Sequence, residues 1–343
     1  MKGRIVVLDD IAGRPAAALL VDGQLEDLLI DPADDTPLPG AIFRAVADRP
    51  MKGQGGMFVK LPQGSGFLRQ TVGIAPGQRI IVQVSGPAEP GKALPVTTRL
   101  LFKSRLAIVT PGAPGLNISR RIKDEGLRSE LETLAGEAMA TASEHLGLIL
   151  RSAAAEAGPE EITADIAAMR DLAEAVLADL DGGPELLVEG AGAHETAWRD
   201  WADPAPDEII EGGFAAEGVR DLIAALREPK VIFPGGGSMV IEPTRALVAV
   251  DVNTGPDTSP AAALKVNIAA ARELPRQLRL RGLGGQIVVD FAPMPKRDRA
   301  VLDQVLKAAF KTEGESNLAG WTTLGLYELT RRRDRWPLAE LLP

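Results

Sequence analysis

The sequence contains no cysteine, only two histidines and few aromatic residues. The absence of cysteine excludes disulfides, thiolate zinc sites and cysteine nucleophiles. His145 and His194 are too isolated to suggest a histidine metal site or the base of a catalytic triad. No apolar run reaches the ~18 residues that a membrane span needs, and acidic residues interrupt the start before a signal-peptide core could form. These absences predict a soluble, cytoplasmic protein that does not use nucleophilic catalysis.

The net charge of −9 argues mildly against nucleic acid as a partner, because phosphate contacts require a basic surface. The charge is unevenly distributed, however. Acidic residues concentrate in residues 22–35 and 156–181, whereas basic residues cluster in residues 120–123, 272–281 and 331–335. Since an acidic protein can carry a local basic channel, the net charge alone does not decide the class of partner.

Short strands dominate the first hundred residues. Asp22-Gly23, between two apolar runs, is a strong signal for a two-residue β-hairpin. Between residues 38 and 101, five brief β-runs punctuated by glycine and proline predict a small antiparallel barrel, for which the OB-fold is the candidate. Phe58 and Phe67 fall where strands of that barrel would face outward. Spacing alone favours two core phenylalanines, and the alternative is a base-stacking platform.

Two helices are predicted in the middle of the chain, at residues 127–146 and 160–180, from their apolar periodicity. The short apolar strand between them ends in Arg151 and Ser152. A guanidinium and a hydroxyl side by side at a strand end can bind a phosphate. The alternative is a solvated arginine, which is the commoner case.

Two apolar strands, residues 247–250 and 286–289, each run into an aspartate, and a helical segment joins them. Asp251 and Asn253 project to the same face because strand side chains alternate. If the strands are neighbours, Asp251 and Asp290 bring two carboxylates together, and a cation such as Mg²⁺ would relieve their repulsion. The ion could activate water for phosphoryl chemistry. The alternative is that both aspartates only cap turns or helices.

At these residues the sequence resembles the RNase E/G family of endoribonucleases. The resemblance covers nearly the whole chain, and its motifs occur in the family's order. The matching segments are 66–68 (GFL), 118–122 (ISRRI), 147–152 (GLILRS), 246–255 (ALVAVDVNTG), 276–285 (RQLRLRGLGG) and 287–291 (IVVDF).

The resemblance implies an α/β (α+β multi-subdomain) protein with an RNase H-like subdomain that is split around two insertions. Its two parts, residues 1–36 and 185–230, would flank an OB-fold RNA-binding domain (37–110) and a 5′-sensor region (111–184). A DNase I-like catalytic subdomain (231–343) would follow.

The family's motifs also imply roles for individual residues. Asp251 and Asp290 would hold Mg²⁺, and Asn253 would assist catalysis. The residues implied to contact RNA are Phe58, Phe67 and Arg120, and those implied to bind a 5′-monophosphate are Arg151 and Ser152. The implied reaction is hydrolysis of single-stranded RNA, leaving 5′-phosphate and 3′-hydroxyl ends, in RNA processing or decay.

The sequence departs from the family pattern in several places. The zinc-link cysteine pair and the small domain after it have no counterpart, so we expect no zinc and a monomer or homodimer rather than a zinc-linked tetramer. Ser152 replaces the usual threonine and keeps the hydroxyl. Ala269 replaces an acid, Pro275 is expected to interrupt its helix, and Pro293 replaces the second acid of the Asp-Phe-Ile-Asp-Met motif.

Two hypotheses therefore remain. The first is an active Mg²⁺-dependent endoribonuclease, which the retained Asp251, Asn253 and Asp290 favour. The second is an RNA-binding paralogue with weak or no catalysis, which Ala269 and Pro293 favour.

Overall fold

The computed structural model describes residues 2–33, 35–51, 53, 55–311 and 313–342. The strands are β1 (Arg4–Ile11), β2 (Arg14–Val21), β3 (Gln24–Ile30), β4 (Ile42–Pro50), β5 (Met57–Leu61), β6 (Gly64–Leu68), β7 (Arg79–Val84), β8 (Leu94–Thr97), β9 (Phe102–Lys103), β10 (Ala107–Pro111), β11 (Gly115–Ile118), β12 (Leu146–Leu150), β13 (Glu185–Val188), β14 (Glu208–Glu211), β15 (Lys230–Ile232), β16 (Ser238–Pro243), β17 (Val248–Asn253), β18 (Gly285–Asp290), β19 (Ser316–Trp321) and β20 (Tyr327–Arg331). The helices are α1 (Glu125–Ala138), α2 (Pro159–Ala178), α3 (Ala193–Asp200), α4 (Val219–Arg227), α5 (Pro260–Leu280), α6 (Arg299–Ala309) and α7 (Leu338–Leu341). None of the helices in the described ranges is long and apolar enough to span a membrane.

The first sheet joins the start of the chain to a strand far along the sequence. Its order is β14-β1-β2-β3, and β14 runs parallel to β1 with Ile5 opposite Glu208. The predicted hairpin is confirmed, because β2 and β3 are antiparallel and both Asp22 and Gly23 have positive φ. One face of the sheet packs on α3 and the other on α4 and α7.

The predicted barrel is also present, although it is not wholly antiparallel as predicted, because β6 and β8 pair in parallel. Five strands close in the order β4-β5-β6-β8-β7 and back to β4, which is consistent with an OB-fold. Ala45, Val59 and Val82 are fully buried inside it. β13 extends this sheet by pairing with β4.

A four-stranded sheet with the order β11-β12-β10-β9 follows, and α1 and α2 pack against it. The prediction that the first helix reaches residue 146 is wrong. α1 ends at Ala138, and residues 139–145 form turns in which the Ser143 N–H donates to Glu174 on α2. The chain has to reverse there because β12, which starts at Leu146, pairs with β10 and β11.

The last sheet has six strands in the order β15-β16-β17-β18-β20-β19, with α5 and α6 on one face. Ser259 caps α5 by accepting a hydrogen bond from the Ala262 N–H. The expectation that Pro275 interrupts α5 is wrong, since the helix continues to Leu280. A mid-helix proline costs about 3 kcal/mol, and burial of Leu274 and Leu278 on either side offsets this cost.

Asp27 joins the first sheet to two other parts of the chain. This buried β3 carboxylate accepts hydrogen bonds from both terminal nitrogens of Arg335 and from Trp201 Nε1, the latter at 3.3 Å. Burial raises the pKa of Asp27, but Arg335, Arg279 and the Leu28 N–H outweigh it, so the pKa lies below its ordinary value. Asp27 is therefore expected to be charged in the folded protein at neutral pH.

Replacing Asp27 with asparagine should destabilise the protein by roughly 3–5 kcal/mol at pH 7, because the mostly buried Arg335 would lose its directly paired carboxylate. The lowered pKa means that the charged carboxylate stabilises the fold above the unfolded pKa of ~3.9, and that this stability is lost as the pH falls through the folded pKa. The difference in the free energy of unfolding between wild type and Asp27→Asn should therefore become smaller at acidic pH.

Urea denaturation of both proteins between pH 3 and pH 8 measures this difference. Glu26→Gln is the matched control, since Glu26 is the neighbouring, more exposed carboxylate and pairs with Arg279. Equal decreases in the free energy of unfolding of the two variants at pH 7 would contradict the assigned role of Asp27.

Candidate functional site

The side chains of β17 alternate between the two faces of the six-stranded sheet. Val248, Val250 and Val252 are buried against the core that contains α5, whereas Asp251 and Asn253 are exposed on the opposite face. We call this face, which lies opposite α5 and α6 in the six-stranded sheet, the open face. The alternation predicted from the sequence is confirmed.

β18 brings the second aspartate to the same place. Ile287 and Val289 are fully buried, and Asp290 is exposed at the end of the strand. β17 and β18 are adjacent and parallel, and their register sets Asp251 directly opposite Asp290. Paired residues of neighbouring strands lie about 5 Å apart and point to the same face. The two carboxylates therefore stand side by side on the open face.

Asn253 completes this group. Its Nδ2 donates a hydrogen bond of 2.7 Å to Asp251 Oδ2, which leaves the amide oxygen available to another partner. Two exposed carboxylates and an amide oxygen are hard oxygen donors that fit Mg²⁺, an ion that usually retains several waters and binds substrate phosphate. Within the described ranges, no three histidine or acidic side chains converge as a metal site.

A buried asparagine fixes the segment that follows Asp290. Asn267 on α5 is fully buried, and it forms two hydrogen bonds of 2.9 Å with the backbone of Ala292, one through each side-chain polar atom. Ala292 lies two residues after Asp290, so this clamp ties the end of β18 to α5. The sequence reasoning missed Asn267, although an amide in the middle of the apolar face of α5 was a usable signal.

A glycine turn supports the end of β17 in a similar way. Gly237 has a positive φ, and a Cβ there would lie 2.5 Å from Val266 Cγ2 and 2.8 Å from the Asn253 carbonyl oxygen. A side chain at this position would therefore displace either α5 or the backbone that carries Asn253.

Phe58 and Phe67 face each other across β5 and β6 on the outside of the barrel. Their rings are 5.5 Å apart in an edge-to-face arrangement, and the Arg49 guanidinium lies 5.3 Å from the Phe58 ring. Both side chains are half-buried, whereas their strand neighbours Met57 and Leu68 are buried inside the barrel. The two aromatic rings are therefore available at the barrel surface.

Arg151 and Ser152 lie just after β12, as the sequence predicts, but Arg151 already has partners. Its guanidinium donates to the Ser104 carbonyl and to Asp200 Oδ1, both at 2.7 Å. Arg199 binds the same Asp200 carboxylate. Burial raises the pKa of Asp200, but the hydrogen bonds and charges of Arg199 and Arg151 outweigh it and hold the pKa below its ordinary value.

The other arginine-rich segments divide into exposed and internal groups. Arg120 is exposed in the turn after β11. By contrast, Arg276 donates to the Leu25 carbonyl, Arg279 to the Glu26 carbonyl, and buried Arg331 to the Leu283 carbonyl. The clusters at residues 272–281 and 331–335 thus serve largely as internal ties between sheets.

The fold and the carboxylate pair define a multi-sheet α/β protein with a barrel and an exposed acidic site. A family model described as "Ribonuclease E/G family" matches residues 102–213 and 211–334. "Ribonuclease E" of Nostoc sp. is 31% identical, and the alignment covers 95% of this chain and 55% of that protein. "Ribonuclease G" of Escherichia coli strain K12 is 29% identical, with 78% of this chain and 62% of that protein covered.

The chain belongs to the Ribonuclease E/G family. "Ribonuclease E" of Escherichia coli strain K12 is 30% identical over 75% of this chain, which corresponds to 28% of that longer protein. The alignments thus span about three-fifths or less of the length of these relatives.

Replacing Asn267 with leucine should destabilise the protein by about 2–5 kcal/mol, because a side chain of similar size would leave the N–H and C=O of Ala292 unpaired in the interior. Chemical denaturation measures the loss. Asn317→Leu on β19 is the control, since Asn317 is exposed. Similar small decreases in the free energy of unfolding of both variants would show that the hydrogen bonds between Asn267 and Ala292 contribute little to stability.

Proposed function

We propose that this chain is a Mg²⁺-dependent endoribonuclease that cleaves single-stranded RNA in cytoplasmic RNA processing or decay. The observation that carries the proposal is the side-by-side position of Asp251 and Asp290 on the open face. Membership of a family whose relatives are named ribonucleases supports RNA as the substrate.

In the proposed site, Asp251 and Asp290 hold Mg²⁺ through their carboxylates. Mg²⁺, when bound, supplies positive charge that favours hydroxide over water and stabilises a phosphoryl group under attack. Asn253 orients Asp251 through its 2.7 Å hydrogen bond and offers its amide oxygen to the attacking water. The attacking water would lose a proton to solvent and form a new bond to phosphorus, while the P–O3′ bond breaks and O3′ takes up a proton, which leaves a 3′-hydroxyl and a 5′-phosphate.

The remaining predicted residues form the proposed RNA path. Phe58 and Phe67 offer aromatic rings on the barrel surface for stacking with bases. Arg120 is exposed and can contact backbone phosphate. Arg151 and Ser152 would bind a terminal 5′-phosphate. That phosphate would compete with Asp200 for the Arg151 guanidinium.

We further propose that the first sheet and the six-stranded sheet correspond to the family's RNase H-like and DNase I-like subdomains. The parallel pairing of β1 with β14 supports a subdomain split around insertions. The proposed boundaries remain residues 1–36, 37–110, 111–184, 185–230 and 231–343.

A second candidate function is RNA binding with weak or no cleavage. The observation that favours it is that only two carboxylates and one amide meet at the site within the described residues. A cleavage assay separates the two candidates.

Asp251→Asn and Asp290→Asn should each reduce RNA cleavage by about a hundredfold or more, because each removes one metal carboxylate from a site that stabilises phosphoryl charge. Affinity for RNA should persist, since the barrel surface is untouched. Cleavage is followed on a 3′-labelled single-stranded RNA with and without Mg²⁺, and affinity is followed by fluorescence anisotropy without divalent ions.

Asp221→Asn is the charge-matched control, because Asp221 is exposed on α4 outside the site. Phe58→Ala and Phe67→Ala should show the opposite pattern, with weaker RNA binding and an intact carboxylate pair. Near-native, Mg²⁺-dependent cleavage by both aspartate variants would refute the metal assignment. Binding without cleavage by the wild type would instead support the second candidate.

RNA with a 5′-monophosphate should be cleaved about tenfold faster than the same RNA with a 5′-hydroxyl, because a charge-assisted contact to Arg151 contributes roughly 1.5–3 kcal/mol. Arg151→Ala should abolish this preference. Rates on the two substrates are compared at subsaturating RNA.

Ser152→Thr and Ser152→Ala form the matched pair for this test. Threonine restores the family's residue and keeps the hydroxyl donor, whereas alanine removes it, so the preference should persist in the first and fall in the second. Equal wild-type rates on both RNAs would show that these residues do not sense the 5′ end.

A further inference from the structure

Trp198 is the only aromatic residue of the described ranges whose side chain is exposed, with 57% of its surface accessible. It lies near the end of α3. Trp201, three residues later, is buried and donates to Asp27. The two tryptophans thus serve different purposes: Trp201 anchors the helix region to the first sheet, and the Trp198 indole remains in water.

The indole is held in place by a cation. The Arg105 guanidinium lies 5.5 Å from the centre of the Trp198 ring, and Arg105 in turn pairs with Glu161 on α2 at 3.0 Å. This distance lies within the range of a cation–π contact. An indole supported by a guanidinium, with more than half of its surface open to solvent, is oriented to accept another planar group.

Several cations lie in the region of Trp198, together with the carboxylate of Asp200. Arg199, the next residue, and Arg151 share the single carboxylate of Asp200. Lys103 lies near the same group: desolvation lowers its pKa, and Arg199, Arg151 and Arg332 lower it further against the opposing charge of Asp200. Three cations thus surround one carboxylate, which leaves excess positive charge for an anionic partner.

We propose that Trp198 is a stacking platform for the nucleobase at the 5′ end of a single-stranded RNA, with Arg105 as its support and Arg199 and Lys103 as additional phosphate contacts. Arg151 connects the two parts of the site, because it binds both Asp200 on α3 and the carbonyl of Ser104, the neighbour of Arg105. Because Ser104 and Arg105 are adjacent in the chain, the Arg151 guanidinium and the contact between Arg105 and Trp198 belong to the same region of the surface. The proposal rests on the proposed function, since it assigns the base to a 5′ end held by Arg151 and Ser152.

The test compares two 5′-monophosphorylated RNAs that differ only in whether the first nucleotide carries a base or is abasic. Affinity is measured by anisotropy without divalent ions, so that it does not depend on cleavage. Wild type should bind the RNA with the base roughly tenfold more tightly than the abasic RNA, which is the scale of one stacking contact. Trp198→Ala should bring the ratio of the two affinities close to one. Trp198→Phe should retain most of the preference for the RNA that carries the base.

Tryptophan fluorescence supplies an independent readout. RNA with the terminal base should quench the emission of wild type, and that part of the quenching should be absent from Trp198→Phe. Ile209→Ala, which removes an exposed apolar side chain from β14, is the control and should leave the ratio unchanged. If wild type binds RNA but does not distinguish the two RNAs, or if Trp198→Ala keeps the preference, the stacking platform is refuted. If wild type binds no RNA, the proposed function itself fails.

Discussion

The arrangement of this protein depends on one buried carboxylate. Asp27 connects β3 with α3 through Trp201 and with the C-terminal segment through Arg335. A buried carboxylate is tolerated only when its hydrogen bonds and counter-charges are supplied. Here the partners come from two distant parts of the chain, so both must be in place together with β3. Arg276 and Arg279 on α5 add ties to the same strand, and the six-stranded sheet that carries Asp251 and Asp290 is thereby fixed to the first sheet.

The need to neutralise and hydrogen-bond internal carboxylates and carbonyls explains why many arginines of this acidic chain point inward. Several arginines that look like an RNA-binding surface in the sequence are directed inward to carbonyls and carboxylates. Arg151 and Arg199 instead share Asp200 close to Lys103, in the region of Trp198, which is the one exposed aromatic residue in the part of the chain that the structure describes. Electrostatic attraction to the RNA that we propose as the substrate has to be local, because the net charge of −9 opposes it over longer distances.

Sequence reasoning succeeded where local pattern determines structure. The hairpin at Asp22-Gly23, the barrel strands and the alternation in β17 follow from turn chemistry and side-chain periodicity. It failed where tertiary contacts decide: α1 stops early because β12 must pair, and α5 continues through Pro275 because its flanking leucines are buried. The clamp between Asn267 and Ala292 and the partnership of Arg151 with Asp200 depend on which segments meet in space, which no local pattern specifies.

The parallel pairing of β1 with β14 has a consequence for biosynthesis. Because these strands are roughly 200 residues apart in sequence, the first sheet cannot be completed until the barrel and the sheet after it have been translated. The barrel closes on itself and is able to fold early, whereas β1–β3 must wait with an unpaired edge. Such non-local pairing slows folding and leaves an edge exposed to aggregation. The N-terminal strands therefore carry an exposed edge during synthesis until β14 is available to pair with β1.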